Sequence, residues 1–136
     1  ILKSGFKSRM REAEQGQEEA FRALADEIAK GIARGHHAEA RVRQTRHLEV
    51  LTPSSLGILC FRARPRPGMT PEEVDEWNRD IQDRVVQEGT AMISSTRIDG
   101  AFSLRICPMN WRTTEADVDA VIDRVEALAF ETTPRG

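Results

Sequence analysis

Lysine is scarce in this chain of 136 residues: only Lys3, Lys7 and Lys30 occur. A lysine that acts as a covalent nucleophile must be buried and held in position. Lys3 and Lys7 lie in a charged leading segment, and Lys30 sits beside Gly31 on a helical stretch, so none fits that role. There are two cysteines, Cys60 and Cys107. Their spacing matches neither a metal motif nor a disulfide framework, which predicts buried free thiols in a reducing compartment such as the cytoplasm. No apolar run approaches a membrane span. Residues 1–10 are charged and lack an apolar h-region, which argues against a secretory signal. There is no Gly-rich phosphate loop, and neither Ser54-Ser55 nor Ser94-Ser95 sits in a nucleophile elbow. The formal charge of -2 creates no general pull toward nucleic acid or an anionic membrane.

What is present suits one soluble domain, with 39% hydrophobic and 31% charged residues. The first residue is Ile, so a fragment, a processed product or part of a longer chain are all expected possibilities. Residues 1–20 alternate charge blocks, Lys3, Lys7, Arg9 and Arg11 before Glu12, Glu14, Glu18 and Glu19, and read as a linker or solvated helical lead-in. A helix is predicted over about 17–46. Phe21, Leu24, Ala25, Ile28 and Ile32 recur at helical spacing, so that stripe is expected to face a core. Gly31 and Gly35 weaken the helix and mark a kink or a close backbone approach.

Two strands follow. Leu48–Leu51 is short and ends toward Pro53, and Leu56–Phe61 is a nearly continuous apolar run that ends before a loop at 64–68. A second helix opens with Thr70 as N-cap, Pro71 at its first position and Glu73 completing a capping box. Val74, Trp77, Ile81 and Val85 form its stripe, and Gly89 stops it. Asp99-Gly100 signals a hairpin between strands at about 91–98 and 101–107. A last helix, about 115–129, is capped by Thr113 or Thr114 and carries Val118, Val121, Ile122, Val125 and Leu128 inward. Trp111 is expected to cover the end of a helix. The order predicts an α+β fold, with helices packed on one face of a mostly antiparallel sheet.

Few residues invite chemistry. His36 and His37 point about 100° apart on a helix, and His47 stands alone, so all three read as surface or helix-face residues. The acidic residues near helix starts, such as Glu72, Glu73, Asp117 and Asp119, complement helix dipoles. Arg105 differs. It lies mid-strand between Ser103 and Cys107, on the face opposite Phe102, Leu104 and Ile106. It is a clamp for a substrate carboxylate, a member of a structural ion pair, or an arginine on an exposed sheet face.

Three stretches together resemble the C-terminal region of group II pyridoxal-phosphate-dependent amino acid decarboxylases, a family that includes aromatic amino acid, histidine, tyrosine and glutamate decarboxylases. Leu48–Arg62, LEVLTPSSLGILCFR, is similar to the family's strand pair with its "LG-(I/V)-V-C-F-R" core. Ile93–Cys107, ISSTRIDGAFSLRIC, is similar to the hairpin that leads into "L-R-(L/I/F)". Asn110–Val118, NWRTTEADV, is similar to the final helix start, "N-x-R-T-T-E-x-D-V". Ile32–Glu39, IARGHHAE, also resembles a family helix.

The resemblance implies the small C-terminal domain of a fold-type I enzyme over 21–130, with a lead-in at 1–20 and a tail at 131–136. It implies a homodimer whose missing large domain binds pyridoxal 5'-phosphate through the lysine this chain lacks. The small domain would close over the active site of a carboxy-lyase, with an aromatic L-amino acid as the first expected substrate and Arg105 helping to bind its carboxyl end. The chain alone would then be inactive. The alternative is a stand-alone, non-catalytic module for binding or dimerisation. Neither reading involves nucleic acid, membrane or metal.

Overall fold

The computed structural model describes residues 2–90, 93–108 and 112–132, with side chains from residue 5 onward. The elements are α1 (Leu2–Arg43), β1 (Leu48–Ser55), β2 (Ile58–Ala63), α2 (Pro71–Gln87), β3 (Ile93–Ile98), β4 (Ala101–Ile106) and α3 (Glu115–Glu131). The four strands form one antiparallel sheet in the order β1-β2-β4-β3. The expected α+β class and element order are both found.

Alternation decides which side of the sheet is covered. Leu48, Leu59, Phe61, Ala63, Leu104 and Ile106 are fully buried on one face. They meet the stripes of α2 (Trp77, Ile81, Val85), α3 (Val118, Val121, Ile122, Val125, Leu128) and the end of α1 (Ala38, Val42) in one core. The boundaries of α2 and α3 follow from their punctuation. Thr70 accepts a hydrogen bond from the Glu73 amide, the hydroxyl half of the expected box. Gly89, at φ 95°, ends α2 in the left-handed region where a side chain is disfavoured. For α3 the cap is Thr114, in a full box with Asp117. Trp111 lies outside the described residues.

Four expectations need correction. First, α1 is one helix from Leu2 to Arg43, not 17–46. Second, its stripe does not reach this core: Phe21 is 74%, Leu24 59% and Ile28 43% exposed. At 1.5 Å per residue the helix is about 63 Å long. The sheet is far shorter, and only the last turns lie over it. Third, β1 runs through Pro53 to Ser55. Proline is tolerated there because β1 is an edge strand, broken by register shifts on both sides of Thr52. Fourth, Leu56 is not in a strand. With φ 51° at Leu56 and 79° at Gly57, these residues form a tight turn like Asp99-Gly100 (49° and 81°).

The end of α1 is fastened at several points. The Glu39 carboxylate accepts a hydrogen bond from the Ser54 amide, which holds its pKa below the usual carboxylate range. Arg41 pairs with Asp123 at 2.7 Å, His37 Nε2 lies 2.8 Å from Asp119, and His47 Nδ1 lies 2.7 Å from Glu126. Gly35 is the close approach that its composition suggested. A Cβ there would sit 2.8 Å from the Gly57 Cα and 2.5 Å from Ser54 Oγ. Gly35→Ala should therefore lower the urea midpoint of unfolding. Overpacking against backbone costs about 1–3 kcal/mol, against about 1 kcal/mol gained in helix propensity. Gly16→Ala has open space and should instead raise helix content by circular dichroism.

Candidate functional site: the open face of the sheet

The face opposite the core is set by strand register. Cys60 pairs with Arg105, and Arg105 pairs with Ser94, so β2, β4 and β3 place these three side by side. Glu49 pairs with Arg62 in the same register, and Arg62 is two residues from Cys60, so both share this face. Thr52 and Thr96 extend the two rows to the sheet edges, opposite Cys60 and Ser103. No helix stripe points here, since all three helices supply the core on the other side.

Charge is unevenly satisfied across this surface. Arg62 Nε donates to Glu49 Oε1 at 2.8 Å, a pair that is 18% and 29% exposed. Arg64, just past β2, donates to the Leu48 carbonyl at 3.2 Å. On the core side, Arg97 pairs with Asp75 and donates to the Gly100 carbonyl. Arg105 is half-buried, and among the described residues it has no hydrogen bond or ion pair. Its flanking partners, Cys60 and Ser94, are small and uncharged. Ser103 is fully buried and turns its hydroxyl to the Leu104 and Phe61 carbonyls. A guanidinium stays protonated at any physiological pH. The face therefore presents a fixed positive charge with its fork of donors unspent, on a strand whose alternate residues are locked in the core.

The three alternatives left for Arg105 are narrowed by this geometry, because the structural ion pair belongs to Arg62 instead. Pattern reading did not single out Arg62. Its pairing with Glu49 depends on the β1–β2 register, which the sequence of Leu48–Arg62 does not fix by itself. Arg34 was also passed over. It lies on α1, is nine-tenths buried, and donates from Nε to the Pro108 carbonyl at 2.7 Å, tying α1 to the end of the strand that carries Arg105. Neither cysteine is paired: Cys60 is buried and Cys107 half-buried.

No family model matches the chain. Curated relatives do. An aromatic-L-amino-acid decarboxylase of Bacillus atrophaeus is 31% identical over 112 residues, which is 82% of this chain and 23% of that protein. Tryptophan decarboxylase 1 of Oryza sativa subsp. japonica is 33% identical over 85 residues, covering 60% and 16%. Among solved structures, Oryza sativa TDC with PLP and tryptamine superposes with a TM-score of 0.72 at 27% identity, over 79% of this chain and 23% of that one. The tryptophan decarboxylase of Catharanthus roseus, with L-tryptophan, superposes at 0.71 and 24% identity, and attests the fold. The chain thus spans about a quarter or less of the length of these relatives. In sequence and in fold, it matches the C-terminal part of the group II pyridoxal-phosphate-dependent decarboxylases.

Proposed function

We propose that this chain is the small C-terminal domain of a pyridoxal-phosphate-dependent aromatic L-amino acid decarboxylase, and that Arg105 binds the carboxyl end of the substrate. The single observation that carries the role of Arg105 is a guanidinium with no partner among the described residues, on a sheet face where the neighbouring arginines are engaged. Residues 21–130 form the domain in this reading, 1–20 lead in from the large domain, and 131–136 are a tail. The active unit is a cytoplasmic homodimer. Among the described residues no helix is long and apolar enough to cross a membrane.

The lysines present do not fit the anchoring of the cofactor. Lys30 is exposed and pairs with Glu27 at 3.6 Å, and Lys7 is exposed, while the side chain of Lys3 lies outside the described residues. The cofactor therefore belongs to the large domain, where it supplies an electron sink for loss of the α-carboxylate. This chain contributes a cation, a dry backing sheet and the surface that closes on the site. By itself it is inactive.

The test is expression of the complete reading frame that contains this chain. The expected product has several times the 15.3 kDa of this chain, shows the visible absorbance of lysine-bound cofactor, and releases carbon dioxide from L-tryptophan or another aromatic L-amino acid. A full-length product near 15.3 kDa, or one that binds cofactor and leaves aromatic amino acids intact, overturns the assignment.

A further inference from the structure

Leu56 takes the first position of the two-residue turn between β1 and β2, at φ 51°, and Gly57 follows at φ 79°. Positive φ suits glycine, asparagine or aspartate, whereas a leucine there crowds its Cβ against the backbone. The hairpin between β3 and β4 shows the ordinary solution, with Asp99 in the same position at φ 49°. Leu56 is also 74% exposed. A strained backbone and an apolar side chain in water both cost free energy, and no contact among the described residues offsets either. The turn is nonetheless firmly mounted. Gly57 is buried, and α1 crosses it at Gly35 with no room for a Cβ. The Glu39 carboxylate holds the Ser54 amide just ahead of the turn. Ile28 lies two turns before Gly35 on the same stripe of α1, about 10 Å along the axis, and begins the exposed row of Ile28, Leu24 and Phe21. The turn therefore stands at the inner end of that row.

We propose that Leu56 is a docking anchor: it seats in an apolar recess of the large domain, next to the surface of that domain that covers the α1 stripe. The occupant is the rest of the same polypeptide. The chain spans only 23% of its Bacillus atrophaeus relative, so ample surface lies outside it. A partner in the same chain is always present, so the strain at the turn is always offset, whereas a second copy would leave it uncompensated whenever the copies part. The inference rests on the small-domain reading given above, is independent of the role of Arg105, and adds a contact residue to that reading.

The experiment places Leu56→Asn in two proteins. Asparagine accepts positive φ, so it relieves the turn while removing the apolar anchor. One protein is the 136-residue chain, which has its own core, with Phe21→Glu and Leu24→Glu added to silence the exposed stripe. The other is the full-length enzyme. The expected result is opposite signs. In the chain, the urea midpoint should rise by about 0.3 M. In the full-length enzyme, cofactor absorbance should be lost on heating about 2 °C or more below the parent. Leu56→Met keeps an apolar anchor and should leave the full-length enzyme close to the parent. A full-length Leu56→Asn enzyme no less heat-stable than the parent overturns the proposal. So does a midpoint that fails to rise in the chain, since Leu56 then carries no strain for docking to offset. Leu56→Met that harms the enzyme as much as Leu56→Asn overturns it as well. If light scattering shows that full-length Leu56→Asn has fallen from dimer to monomer, the occupant is a second copy and the proposal fails. A full-length product near 15.3 kDa fails the underlying reading and the inference together. A larger, cofactor-binding product in which Leu56→Asn is silent fails the inference alone.

Discussion

Replacing Arg105 with alanine in the complete enzyme should lower kcat/KM for an aromatic amino acid by roughly two orders of magnitude or more, with cofactor still bound. Truncating one partner of a desolvated charge pair typically costs about 2–5 kcal/mol, and about 1.4 kcal/mol corresponds to a factor of ten. The loss should be specific because of where Arg105 stands. Its strand neighbours Leu104 and Ile106 are fully buried, and on the opposite face the Arg105 side chain has no partner among the described residues to strand. Removing it opens no core cavity, so thermal stability should move little. Arg105→Lys keeps the charge but loses the planar fork, and should recover only part of the activity. Steady-state kinetics alongside cofactor absorbance measure both effects. Unchanged kinetics in Arg105→Ala would sink the proposed role.

The second large effect concerns the isolated 136-residue polypeptide. It should self-associate in solution, because Phe6, Met10, Phe21, Leu24 and Ile28 lie exposed along α1. These positions fall along one helical stripe, and contiguous apolar surface of this kind is normally covered in a working protein. In our reading the large domain covers it. Phe21→Glu with Leu24→Glu should return the isolated chain to a monomer by light scattering without loss of its sheet, since neither side chain touches the core. The same pair placed in the full-length enzyme should impair assembly. A monodisperse parent chain at high concentration would count against the fragment reading.

These two predictions draw on different degrees of legibility in the sequence. The stripes of α2 and α3 could be read residue by residue, because Thr70, Pro71, Gly89 and Thr114 punctuate them and every apolar position at helical spacing found the core. The Asp99-Gly100 hairpin was equally plain. The α1 stripe was legible as a face that wants burial, yet periodicity does not say what buries it, and among the described residues nothing covers Phe21, Leu24 and Ile28. The turn at Leu56-Gly57 was hidden because leucine seldom adopts positive φ, and its apolar side chain extended the apparent strand. At the candidate site, Arg105 stood out as a charge in a buried strand. The Glu49–Arg62 pair did not, since it exists only once β1 and β2 are set in register.

The placement of α3 has a consequence for how the protein comes to be made. His37 and Asp119, which join α1 to α3, are separated by 82 positions in the chain. The two hairpins are local, but the lid of the core is the last element synthesised among the described residues. Until Val118–Ala129 emerge, the α3 side of the core, against Ala38, Val42 and Phe61, stays uncovered. Closing so long a loop is slow compared with forming a hairpin. During synthesis the core thus waits, adhesive and half-covered, for its final helix, and a message cut short just before the codon for Glu115 would yield a product that chaperones and proteases can recognise by that uncovered face.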